Sequence, residues 1–180
     1  MRTLLLLVPL VLALTACSTF VTPRYSISAD SNVALRSLGV SGISVGAFAE
    51  PAEFDRTCRA VGPLAPPDGM THAAYIRKAL EDELKIAGLH TPASPRVTLA
   101  GAVKKLAFSS TRGLTGGSWD IDVTLTSSNG KSMSVAEHYE FESGYMGDTA
   151  CKQTAEAFMP AVQNLIGKIV RSPAFRELVQ

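Results

Sequence analysis

Trp119-Asp120-Ile121-Asp122-Val123-Thr124-Leu125-Thr126 alternates apolar and polar side chains without a break. Successive side chains of a strand point to opposite faces, so this stretch is a strand with one face in a core and the other in water, as in an antiparallel sheet covered on one side. Ser128-Asn129-Gly130 follows, and a second strand runs over 133–141. The side-chain faces then fix the register of this hairpin. A two-residue Asn-Gly turn would set Leu125 against Ser134 and bury the wrong face. A three-residue loop with Gly130 at positive φ instead pairs Leu125 with Met133, Val123 with Val135 and Trp119 with Tyr139, and this is the expected arrangement. It puts Glu137 opposite Ile121 on the apolar face, where a sheet edge, a bulge or a buried partner must accommodate the carboxylate.

Upstream, Val97, Leu99 and Val103 alternate, and Leu106 and Phe108 continue after a slip of parity, which predicts another strand ending near 108. Before it, Ala73, Ile76, Leu80, Leu84 and Ala87 recur at spacings of three and four, the mark of a helix over 71–87. Asp68 or Thr71 can cap its start and Gly88 its end. Its other face, with Arg77, Lys78, Glu81, Asp82 and Lys85, reads as solvated surface. Leu38 and Val40, then Ile43 and Val45, are alternating pairs whose phase slips at Gly42, as in a bulged first strand. Downstream, Cys151, Ala155, Phe158, Val162, Leu165 and Ile169 share one stripe of a helix over 149–170, with a kink expected at Pro160. Ser172-Pro173 then opens a short terminal turn. The order β-α-β-β-β-α predicts an α+β two-layer sandwich: a mixed sheet of about four strands, the first helix crossing between parallel strands, and both helices on one face.

Two regions fall outside this pattern. Residues 49–70 hold Pro51, Pro63, Pro66, Pro67, Gly62 and Gly69 and no periodicity, and read as a long loop that Cys58 can pin. Its apolar residues Phe54, Val61 and Leu64 can face a partner or fold back over the sheet. The amino terminus has Arg2, an apolar run over 4–14, then Thr15 and Ala16, which is the three-part pattern of a signal peptide over 1–16. That run is shorter than the roughly 20 residues a spanning helix needs, and Pro9 interrupts it.

The tetrad Leu14-Thr15-Ala16-Cys17 resembles the bacterial lipobox. The resemblance implies acylation of the Cys17 thiol and cleavage just before it, and Ser18 in the next position implies sorting to the periplasmic face of the outer membrane. Two or three acyl chains hold a protein durably on a bilayer, where one holds it marginally. On this reading 17–36, rich in Ser, Thr, Asn and Asp, is the lipidated cysteine and a flexible tether, and 37–180 is a single globular domain. Without Arg2 the chain has sixteen basic and sixteen acidic residues. This neutral balance argues against nucleic acid as a partner. Cys58 and Cys151 remain, in a compartment that permits disulfides, and are expected to pair.

Few residues suggest chemistry. In the expected register Asp120 and His138 face each other on the wet side of the hairpin, with Asp122 one step along. Such a pair can orient a general base or hold a metal, but nothing places a third ligand or a nucleophile there, and a surface ion pair is the simpler reading. Arg112-Gly113-Leu114-Thr115-Gly116-Gly117-Ser118 has the composition of a phosphate cradle, yet it joins strand to strand rather than strand to helix. His72 and His90 flank the first helix without zinc spacing. No cofactor, metal or enzymatic activity is implied.

Cys58-Arg59 with Gly62-Pro63, Tyr75-Ile76-Arg77-Lys78-Ala79, Asp82-Glu83-Leu84-Lys85, Gly117-Ser118-Trp119-Asp120, Ser127-Ser128-Asn129-Gly130-Lys131-Ser132, Glu137-His138-Tyr139-Glu140-Phe141 and Ala150-Cys151 together resemble an uncharacterised group of bacterial lipoproteins. The element order is more loosely similar to the lipopolysaccharide-assembly lipoproteins, the YajG-like lipoproteins and the auxiliary lipoproteins of lipid-handling ABC transporters. The expectation is a non-enzymatic accessory or adaptor that binds the bilayer through Cys17 and another envelope protein through its sheet face and loops. The alternative is a carrier of lipid or another apolar ligand, held between helices and sheet.

Overall fold

The structure, a computed structural model, describes residues 18–113 and 115–180. Residues 1–17, which include the expected signal peptide and Cys17, and Leu114 lie outside the described residues. The main sheet has four strands in the order β2-β5-β6-β7: β2 Ile43–Ala49, β5 Val97–Arg112, β6 Gly116–Ser127 and β7 Ser132–Glu142. β2 runs parallel to β5, and β5, β6 and β7 form an antiparallel meander. The β6–β7 register has Leu125 opposite Met133, Val123 opposite Val135, Trp119 opposite Tyr139 and Glu137 opposite Ile121. The loop is the three-residue one. Ser127 N–H donates to Lys131 O at 2.9 Å, and Gly130, at φ 85°, takes the left-handed conformation that a side chain would disfavour. The parity slip in β5 is a register shift between Val103 and Lys105.

Helix α2, His72–Ala87, connects the parallel pair, and its N-cap Thr71 accepts a hydrogen bond from Ala74 N–H at 3.1 Å. Helix α3, Gly147–Arg171, runs through Pro160. Both lie on the Trp119 face of the sheet: the indole N–H of Trp119 donates to Thr154 O of α3 at 2.8 Å, and its ring stands 6.1 Å from that of His72 at the start of α2. Trp119, Tyr75, Ile76, Phe158 and Leu165 are at most 2% exposed and fill the space between helices and sheet. At the C-terminus α4, Pro173–Leu178, starts with Pro173 at its first turn and buries Phe175 and Leu178. The α+β sandwich is the observed architecture.

Three segments depart from the sequence expectations. Residues 18–36 are a folded part of the domain and not a tether. β1, Phe20–Val21, pairs in parallel with a strand of the long loop, and α1, Ala29–Arg36, packs outside α2 and α3 with Leu35 fully buried. The polar composition is used locally: Ser28 caps α1 by accepting from Ser31 N–H, and Ser37 Oγ donates to Ala34 O. The phase slip at Gly42 is also no bulge. Gly42 precedes the strand, and its carbonyl accepts from the amides of Arg96 and Val97. Finally, 49–70 has its own structure: β3 Thr57–Cys58 and β4 Gly62–Ala65 form with β1 a second sheet, ordered β1-β4-β3.

Candidate functional site

The open surfaces of the described chain include the charged face of the main sheet and the groove beside the 49–70 strap. On the open face, alternate residues of β6 and β7 carry a row of charges. Nδ1 of His138 lies 2.7 Å from Asp120 Oδ1 and its Nε2 lies 3.2 Å from Glu140 Oε1. Arg112 closes on Glu140, and Lys105 stands 4.0 Å from Asp120. Hydrogen bonds to Asp120 and then to Glu140 raise the basicity of His138. The same histidine, and after it Arg112, hold the Glu140 carboxyl below its ordinary range. The arrangement is an exposed chain of alternating charge, and exposed pairs of this kind contribute little to stability. Among the described residues, no cluster of three His, Cys, Asp or Glu side chains could hold a metal ion.

The groove is built by an imbalance between two strands. β2 ends opposite Ala102, whereas β5 continues to Arg112. Over 103–112, β5 is therefore paired on one side only, with β6. The strap passes along the free side, and among the described residues no backbone hydrogen bond joins 53–59 to β5. Between them runs a groove of about 640 Å³, lined in part by Phe54, Asp55, Thr57, Phe108, Ser109 and Thr111. Arg59 bridges its far end: Nε donates to Ser110 Oγ at 3.0 Å, Nη1 to Tyr145 O at 2.8 Å, and Nη2 to Ser110 O.

The strap itself is firmly held. Cys58 and Cys151 form a disulfide across a sequence separation of 93 residues, with both residues fully buried. Phe54 is half-buried, its ring 4.8 Å from that of His72 and 6.3 Å from that of Trp119. Val61 is also half-buried, and Leu64 is fully buried opposite Phe20. Leu64 cannot face a partner, which corrects one expectation: it belongs to the core, and its strand is paired with β1, a pairing that nothing in the local sequence reveals. Phe54 contributes one wall of the groove while packing on the core.

Two buried groups escaped the sequence reading. His72 is 5% exposed among Phe54, Trp119 and Phe158, and its Nε2 has no hydrogen-bond partner. Burial, and secondarily the nearby Arg56 charge, push its pKa down to about 4. Glu83, on the apparently solvated helix, is fully buried under the amino-terminal segment, and its Oε1 accepts from Tyr25 Oη–H at 2.8 Å and from Ser28 N–H at 2.7 Å. Burial and then Glu83 raise the pKa of the Tyr25 phenol. Its position next to Asp82 on a charged face gave no signal of burial. Glu137 is accommodated at the sheet edge: it lies on β7, the outermost strand, where Nζ of the half-exposed Lys168 of α3 stands 2.6 Å from its Oε2.

No family model matches the sequence, and no curated protein matches it. Among solved structures the fold is similar to that of protein XCC0632 of Xanthomonas campestris, assigned to the family DUF330, with a TM-score of 0.50 at 14% identity over 89% of this chain and 96% of that one. Another uncharacterised protein scores 0.46 at 14% identity over 84% of this chain and 99% of its own. A candidate lipoprotein of Caulobacter crescentus CB15 scores 0.40 at 13% identity, over 77% and 97%. The first of these likenesses shows a shared fold.

Proposed function

We propose that this protein is a lipid-anchored, non-enzymatic accessory of the cell envelope, held at the periplasmic face of the outer membrane by acylated Cys17, where it docks another envelope protein along the free edge of β5. The observation that carries this reading is the mismatch in strand length. An unpaired strand edge presents a row of amides and carbonyls that an extended segment of a partner can complete, and the groove gives its side chains places to sit. The charged row on the adjoining sheet face would steer such a partner. Against a carrier of apolar ligands stands the interface between helices and sheet, filled by Trp119, Tyr75 and Phe158.

A photocrosslinking amino acid in place of Asp55 or Thr111, two exposed positions on the two walls, tests the reading in intact cells. One dominant protein adduct is expected from both positions and none from Ile86, an exposed residue at the far end of α2. Adducts of equal yield at Ile86, or none at the groove, would refute the docking site.

A further inference from the structure

We infer that Tyr145 and Met146 rest on the bilayer surface, so that the domain sits on the membrane in one fixed orientation. The inference builds on the reading that Cys17 is acylated, and it begins at Ser18, where the described chain starts. Ser18 lies directly against the β3–β4 hairpin, for a Cβ placed on Gly62 would collide with the Ser18 carbonyl oxygen. Phe20 and Val21 then pair with Leu64 and Ala65. The residue that would carry the acyl chains is therefore next to a residue already packed on the domain. No slack remains for the domain to hang away from the lipid.

Two exposed apolar side chains stand close to that point, between the exposed carboxylates of Glu142 and Asp148. A Cβ on Gly147 would stand 3.0 Å from Val61 Cγ2, which places the start of α3 against the same hairpin. The two residues preceding Gly147 are Tyr145 and Met146, 77% and 68% exposed. Met146 is the N-cap of α3, with no side-chain hydrogen bond to the free amides. Ser, Thr, Asp or Asn is favoured there, so an exposed methionine breaks a local rule in the way functional positions do. An adjacent Tyr and Met suit the boundary between headgroups and acyl chains, where an amphipathic ring keeps its hydroxyl wet.

The tip is also stiff. Arg59 and Ala60, at φ 47° and 55°, make a left-handed two-residue turn in which Val61 N–H donates to Cys58 O at 2.9 Å. Neither residue is glycine, so the turn is strained, and the Cys58–Cys151 bridge together with the Arg59 bonds to Ser110 and Tyr145 holds it in place. Ser18, the 59–62 turn and 145–147 thus move as one body. The groove beside the strap, which Arg59 also bounds, takes a defined bearing to the membrane.

Amide hydrogen exchange tests this on the full acylated protein in phosphatidylethanolamine and phosphatidylglycerol vesicles, with the soluble Cys17→Ser form as reference. Exchange at 145–147 should slow by about tenfold on vesicles while 86–88, at the far end of α2, does not change. A Tyr145→Ser, Met146→Ser double variant, still acylated and unchanged at 86–88, should lose that slowing. Equal exchange at 145–147 on and off vesicles, or a double variant as protected as the parent, overturns the orientation alone. An intact mass without acyl groups overturns both the anchor and the orientation, which keeps the two failures distinct.

Discussion

The β6–β7 hairpin and the β1-β4-β3 sheet do the same job, closing backbone hydrogen bonds beside a core, by opposite means. The hairpin pairs 11 residue couples across a three-residue loop, and every second side chain from Trp119 to Leu125 is buried. Its information is local, because the pairing spreads outward from one turn, from Thr126 with Ser132 to Gly116 with Glu142. The small sheet pairs two couples between β1 and β4 and two between β3 and β4, across as many as 44 residues. Strands that short bring little pairing energy of their own. A disulfide, an arginine with three bonds and the close approach of the Ser18 backbone to Gly62 supply what the strands lack. Local patterning makes a region legible and self-sufficient, whereas a region without it depends on a few long-range fastenings.

Removal of the disulfide should break that comparison most visibly. Cys58→Ser with Cys151→Ser should cost about 4 kcal/mol on the chain-entropy view of a loop this long, read as a drop in the denaturation midpoint. Exchange protection should fall first in β1, β3 and β4. Equal loss in β6 and β7 would mean that the two sheets form a single cooperative unit.

The next effect belongs to His72, where the strap residue Phe54 meets the main-sheet residue Trp119. Its folded-state pKa of about 4 lies below the ordinary 6.5, so the unfolded chain takes up the proton first. Stability is then full above about pH 6.5 and falls as the pH drops toward 4, by ~3 kcal/mol in all. His72→Phe should abolish this acid loss while preserving stability at pH 7. A variant whose urea midpoints fall with acid just as steeply would place the sensitivity elsewhere.

A smaller effect probes the main sheet alone. Lys168→Met leaves the Glu137 carboxylate, 4% exposed, with only the long Asn164 contact at 3.4 Å. Because Lys168 is half-exposed, the cost should be about 1–2 kcal/mol rather than that of a fully buried pair. Adding Glu137→Leu should restore most of it, and a double variant as unstable as the single would show that Glu137 does more than pair. The smallest effect is expected from His138→Ala on the open face. Its raised pKa makes its contribution present below pH 6.5 and fading as the pH rises through the folded value. At pH 8 the variant and parent should melt together, with a slight gap near pH 5.5. A gap that widens with rising pH would contradict the assigned charge pattern.

The legible parts were those in which one periodicity governs a stretch. Trp119 to Thr126 fixed its own strand, its face and, with Gly130, the register of its neighbour, and α2 appeared between Thr71 and Gly88 with its capping residues. Residues 49–70 and 18–36 were illegible for the same reason reversed. β1, β3 and β4 are too short to show alternation, and of α1's residues only Leu35 and Ser31 are buried, so no stripe marks it. Of the candidate site, Phe54 was visible as an apolar residue in an aperiodic segment. The free edge of β5 was not, since it follows from where β2 happens to stop.

By itself the sequence determined which segments alternate and which faces they bury. Those properties depend on neighbours within a turn or a hairpin, and the residue types there encode them directly. Only the tertiary structure decided that Ser18 lies against Gly62, that Glu83 lies under the amino-terminal segment, and that Leu64 pairs with Phe20. Each of those contacts joins residues more than forty positions apart, where the free energy of burial is decided by what else has already folded around them.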